Sequence, residues 1–139
     1  MMIESADGKI WMALKQALDS FTECHVMMPM DVYEPKSTDT FIIVQHISTD
    51  WGGVLPVSID CGSPLNGFMS LGVCCPVDWD YGQLVGLASR VADHFNDVGT
   101  YQYEDMTVRL SRQARVNGNV SLQAPWNRLE VRVPWRAWG

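Results

Sequence analysis

The closing segment NRLEVRVPWRAW, residues 127–138, constrains the fold more than any other part of this 139-residue chain. Its apolar residues alternate strictly with charged residues or proline. The apolar residues are Leu129, Val131, Val133, Trp135 and Ala137. Such alternation is typical of a strand with one buried face and one solvated face. The segment therefore predicts a sheet covered on one side. The other side carries Arg128, Arg132 and Arg136 around Glu130, at steps of about 6.8 Å.

Two segments have the apolar spacing of amphipathic helices. In residues 7–21 the apolar stripe follows Asp7, a plausible N-cap, with Ser5 as the alternative. In residues 81–95 the stripe is clearest, and Gly99 just beyond it is typical of a helix end. Negative charge at the start of the second helix suits its dipole and indicates capping; the acids that supply it are Asp78 and Asp80.

Strand signals occur at four further places. They are HVMM at 25–28, FIIVQHI at 41–47, GFMSLGVCC at 67–75 and MTVRLSR at 106–112. Asn117-Gly118, before the closing strand, is a tight-turn signal. This order of elements predicts an α+β fold: a largely antiparallel, mixed sheet of about four to five strands with two helices packed on one face. We expect residues 1–139 to form one domain.

Residues 48–66 form a long segment with three glycines and two prolines, and structureless loops of this length are usually functional or mobile. Asp50 and Trp51 are candidate contact residues in it, since an exposed tryptophan is a typical interface anchor. Two alternatives stay open: Trp51 packs beneath its own glycines, or VLPVSID extends a hairpin over the domain edge.

The charge is unevenly distributed along the chain. Residues 1–105 hold fifteen acidic and four basic residues, whereas residues 106–139 hold six arginines, no lysine and one acid. The net charge of −6 argues against a protein whose main task is to bind phosphates. The asymmetry instead indicates a partner, including another copy of the chain. No apolar run reaches the roughly 18 residues of a membrane span, and the N-terminus is not typical of a signal peptide.

Residues with catalytic or metal-binding chemistry are sparse. The histidines are His25, His46 and His94, and none has the spacing of a metal site or of a nucleophile–base pair. The cysteines, Cys24, Cys61, Cys74 and Cys75, are expected to be reduced thiols, because adjacent strand residues point to opposite faces and no CxxC occurs. We therefore predict no catalytic residue, metal or cofactor. The arginine stripe has two interpretations: a solvated strand face that discourages edge pairing, or an interface that includes Trp135.

The order of elements and several segments resemble the tail terminator (tail completion) proteins of long-tailed bacteriophages, prophages and gene-transfer particles. The matching segments are IWMALKQALDSF, HVMMP, FIIVQHI, GFMSLGVCCP, YGQLVGLASRVADHF and NRLEVRVPWRAWG. In such proteins a strand ending in proline leads into the second helix, which ends near a phenylalanine, and the last strand is aromatic-rich. The resemblance spans nearly the whole chain; residues 48–66 depart from it.

The resemblance implies a structural role in the virion. Such proteins form a ring, usually a hexamer, on the head-proximal end of the tail tube; they are assembled in the host cytoplasm. The implied partners are further copies of the chain, the tail tube protein and the neck (stopper) protein. DNA passes through the bore without specific binding, and no membrane or cofactor is involved. The alternatives are another head–tail joining protein, or a small α+β ligand-binding domain or enzyme built around His46 or His94.

Overall fold

The computed structural model describes residues 6–30, 32, 34–50, 65–123 and 125–138. Two helices and seven strands follow one another in these described ranges. They are α1 (Ala6–Ser20), β1 (His25–Met27), β2 (Phe41–Asp50), β3 (Leu65–Pro76), α2 (Tyr81–Val98), β4 (Thr100–Tyr103), β5 (Met106–Leu110), β6 (Arg115–Gln123) and β7 (Trp126–Trp138). The predicted α+β class is confirmed, with more strands than the four to five expected.

The strands form one sheet in the order β1-β2-β3-β7-β5-β4, and β6 pairs with β7 beside β5. Only the β1–β2 pair is parallel among the described strands, so the sheet is mixed and largely antiparallel, as predicted. The closing strand β7 is central, because β3 pairs along one side and β5 and β6 share the other. Its arginines therefore do not protect an exposed strand edge.

The apolar face of β7 forms the centre of the core. Leu129, Val131, Val133, Trp135 and Ala137 are at most 1% exposed. Helix α2 packs on β7, β6 and β3, and α1 packs on β4 and β5, so both helices cover this one face. Trp135 is entirely buried on the helix-covered face. The prediction that it lies at an interface is therefore wrong.

Helix α2 begins and ends at the residues that the sequence indicated. The Asp80 side chain accepts a hydrogen bond from the Gly82 amide, and the Gln83 side chain accepts one from the Asp80 amide, which completes a capping box. Gly99 ends the helix in the left-handed conformation. Asp80, rather than Asp78, is thus the N-cap. Helix α1 begins at Ala6, so Asp7 lies inside the helix and is not its N-cap; Ser5 lies outside the described residues.

The expected tight turn at Asn117-Gly118 is wrong. Both residues lie within β6, where the register with β7 shifts between Asn117 and Ser121. Gly118 has a φ of 88°, which glycine adopts at little cost, and here it serves a β-bulge rather than a hairpin turn. The chain reverses later, between Gln123 and Trp126.

The described cysteines are free thiols, as expected. Cys75 faces the helix-covered core, whereas Cys74 is buried on the opposite face of β3. Burial raises the pKa of Cys74 to about 12 and that of Cys24 to about 11, which disfavours the reactive thiolate. Cys61 lies outside the described residues.

Candidate functional site

The helix-free face of the sheet gathers the arginines of the last third of the chain. Arg115 lies directly opposite Arg132, and Arg109 opposite Arg136, and residues directly opposite in antiparallel strands share a face. Arg112 joins them from the connector between β5 and β6. We call this set the arginine face; it comprises Arg109, Arg112, Arg115, Arg128, Arg132 and Arg136.

An open groove of about 950 Å³ runs over the arginine face. Its charged lining consists of Arg112, Arg115, Arg132 and Arg136, and none of its described lining residues is acidic. The rest of the wall mixes polar and apolar groups: Asn66, Gly67, Phe68, Ser111, Gln113, Asn117 and Pro134. Four guanidinium groups around one concavity produce a positive potential suited to carboxylates or phosphates.

Glu130 is the acid at the centre of this face, and its oxygens are already bonded within the sheet. Oε2 accepts a hydrogen bond from the Ser70 hydroxyl, and Oε1 accepts one from Asn117 Nδ2 at 2.6 Å. Arg132 Nη2 lies 3.5 Å from Oε1. Partial burial alone would raise the pKa of Glu130, but these hydrogen bonds and the Arg132 charge outweigh it and lower the pKa. The carboxylate therefore links β3, β6 and β7 and offsets one of the six positive charges of the arginine face.

The remaining arginines differ in how firmly they are held. The Arg132 guanidinium lies over the Phe68 ring, 4.5 Å from its centroid, and Arg136 Nε donates to Asn66 Oδ1 at 3.3 Å. In the part of the chain that the structure describes, Arg109, Arg112 and Arg115 have no hydrogen-bond or ion-pair partner. Much of the donor capacity of this face is thus available to a partner.

Arg128 is half-buried and held in place by its neighbours. Its side chain crosses Gly72, where an added Cβ would lie 2.7 Å from Arg128 Cδ. The amide orientation of Gln45 that satisfies every neighbour places its oxygen 3.0 Å from Arg128 Nη1 and its nitrogen 3.1 Å from Ser70 Oγ. Arg128 therefore belongs to the sheet's polar framework, while Arg132 and Arg136 are exposed.

The predicted contact residues are only partly brought together. Arg132 and Arg136 lie in the groove, Arg128 lies outside its lining, and Trp135 faces the core. Asp50 ends β2 opposite Asn66, which lines the groove, but its side chain and Trp51 lie outside the described residues. The sequence reasoning missed Arg112 and Arg115, which recur at three-residue spacing in RLSRQAR. Strand pairing brings Arg115 beside β7, and Arg112 reaches the groove from the connector between β5 and β6.

His94 lies in a second, smaller groove of about 330 Å³ between the helix ends, beside Asp93 and Asp97. Its Nε2 is 2.8 Å from the Ala17 carbonyl oxygen and 2.8 Å from Ser20 Oγ. A carbonyl oxygen only accepts, so Nε2 carries the hydrogen and does not act as a base toward Ser20. His94 thus satisfies a carbonyl in the last turn of α1.

Within the described ranges, no group of three or more His, Cys, Asp or Glu residues is placed to hold a metal ion. The described helices include none that is long and apolar enough to span a membrane.

Comparison with known proteins yields a fold but no family. No family model matches this chain, and no curated protein matches it. One solved chain, which carries only a sequence identifier and no functional description, superposes with a TM-score of 0.70 at 11% identity. The match covers 98% of both chains. At this identity the likeness establishes the shared α+β fold alone.

Proposed function

We propose that this chain is a tail terminator: a virion structural protein that forms a ring, of six subunits by the resemblance, on the head-proximal end of a phage tail tube. The ring ends tube polymerisation and provides the docking face for the neck. The resemblance supports this proposal over nearly the whole chain. Its quoted segments coincide with α1, β1, β2, β3 up to Pro76, α2 and β7.

The observation that carries the proposal is the exposed arginine face. A tube cap must contact neighbouring subunits, the tube below and the neck above, so it needs interaction surfaces beyond those that hold its own fold. A closed ring uses heterologous interfaces, in which two different patches of one subunit meet on its neighbours. The helix-free face supplies such a patch, because arginine forks bond carboxylates in a bidentate manner and Arg109, Arg112 and Arg115 have no partner among the described residues.

The chain would bind three protein partners: further copies of itself, the tail tube protein and the neck protein. Assembly takes place in the host cytoplasm and the product is part of the virion. DNA passes through the bore, and the excess of acid in the rest of the chain suits a lining that does not retain phosphates.

Deletion of the gene from its phage or prophage, followed by negative-stain electron microscopy of the induced particles, tests the proposal. Tail termination predicts overlong or ragged tails beside separate, filled heads. Tails of normal length that fail to join heads would instead assign the chain to the neck. Normal, joined particles would contradict any role in assembly and would return attention to the groove around His94.

A further inference from the structure

The helix side of the molecule carries an acidic patch opposite the arginine face. Helices α1 and α2 end beside the same groove, which Glu23, Asp93 and Asp97 line. Neither helix has a basic residue in its last turn, although the negative end of a helix dipole favours one. Arg90 in the same groove pairs with Glu23, so the negative potential there comes from the two helix ends and from the Asp93 and Asp97 carboxylates.

The arrangement of these acids opposes local stability. Asp93 and Asp97 stand four residues apart on α2, where like charges repel, and Asp97 lies in the last helical turn. Arg90 is the base in the groove, and its Nε donates to Glu23 Oε1 at 2.8 Å. In the described residues neither Asp93 nor Asp97 has an ion-pair partner. A counter-charge from outside the subunit would remove this repulsion.

The arginine groove on the opposite side has the complementary chemistry. Arg112, Arg115, Arg132 and Arg136 line it, and no described lining residue is acidic. The two patches lie on opposite layers of the domain, one on the helices and one on the open sheet, so they do not meet within one chain. They do meet if a second copy stacks with its helix ends against the open sheet.

We propose that the arginine groove of one subunit receives the acidic patch of the next, forming the repeating heterologous contact of the assembly. This inference deepens the proposed tail-terminator function and rests on it for the closure of the contact into a ring. The occupant is a second copy of this chain, because its Asp93 and Asp97 carboxylates and the Arg112 and Arg115 guanidinium groups all lack an ion-pair partner among the described residues. Since the same two patches recur on every subunit, the contact propagates in one direction.

Charge reversal on each patch, and on both together, tests the contact. Sedimentation at millimolar protein concentration in low salt compares the wild type with Arg112→Glu/Arg115→Glu, Asp93→Arg/Asp97→Arg and the fourfold variant. Each double reversal should weaken self-association by about tenfold or more, and the fourfold variant should restore it. High salt should weaken the wild-type contact.

The control variants are Lys36→Glu and Glu34→Arg, at two exposed positions outside both patches. Both should leave association unchanged. Circular dichroism and urea unfolding confirm that each variant folds.

Three results would overturn this contact. The wild type would remain monomeric at millimolar concentration in low salt, or it would associate equally well after either double reversal. Alternatively, Arg112→Glu/Arg115→Glu would abolish binding to a short DNA duplex without changing self-association, which would assign the groove to phosphates. None of these results touches the tail-length phenotype of the deletion, so failure of the contact and failure of the proposed function are distinguishable.

Discussion

The Asn96 side chain in α2 holds the connector between β5 and β6, which carries Arg112 and leads to Arg115. Replacing Asn96 by alanine tests whether this side chain fixes the connector. Its Oδ1 accepts a hydrogen bond from the Ala114 amide at 2.8 Å, and its Nδ2 donates one to the Ala114 carbonyl at 3.0 Å. Ala114 is 4% exposed and directly precedes β6. One side chain thus satisfies both backbone groups of a buried residue.

The cost of Asn96→Ala follows from these two bonds. Each contributes about 0.5–1.5 kcal/mol net, so their loss removes about 1–3 kcal/mol. Alanine has the higher helix propensity and returns roughly 0.5 kcal/mol. We therefore expect the free energy of unfolding to fall by about 0.5–2.5 kcal/mol, with faster amide exchange at Ala114.

Urea unfolding followed by circular dichroism measures this change, and an unchanged slope with denaturant would show that the unfolded state is not altered. The matched control is Asp97→Ala, one residue along the same helix turn. Asp97 is exposed and unpaired in the described chain, so its replacement should be neutral or slightly stabilising. If Asn96→Ala stays within about 0.5 kcal/mol of the wild type, the connector is not held by this side chain and the reasoning fails.

Three further predictions concern the core, the backbone and the polar framework. Trp135→Ala should cost about 3–5 kcal/mol in urea unfolding, whereas Trp135→Phe should cost less, because its indole N–H lacks a partner in the described structure. Gly118→Ala should destabilise by about 1–2 kcal/mol through its φ of 88°, while Gly86→Ala inside α2 should stabilise by about 0.5–1 kcal/mol; a reversed order of melting temperatures would contradict this. The lowered pKa of Glu130 means that its stabilisation is present above the ordinary glutamate pKa and is lost as pH falls through the folded value; Glu130→Gln should flatten the acid side of the stability–pH profile, and an unchanged profile would refute it.

Elements with strong local signals were predictable from the sequence. The acids Asp78 and Asp80 before the apolar stripe and Gly99 after it placed α2, and period-two alternation placed β7 with its buried face. The alternation also placed Trp135 on the apolar side, so assigning it to an interface gave a general preference for tryptophan anchors more weight than the local pattern.

Features that depend on strand pairing were not predictable. Strand β4 has four residues and is defined by its pairing with β5, so periodicity alone does not reveal it. At Asn117-Gly118 the sequence indicated a left-handed backbone conformation, and a bulge satisfies that as well as a turn does. The arginine face likewise depends on the register that sets Arg115 opposite Arg132, seventeen positions further along the chain.

Tail termination is tested by adding the purified protein to polymerising tail tube protein of the same phage and measuring tube length by electron microscopy. Tail termination predicts that tubes become shorter as the protein is added and that extra ring density appears at one end. Tubes of unchanged length with bare ends would contradict the central claim.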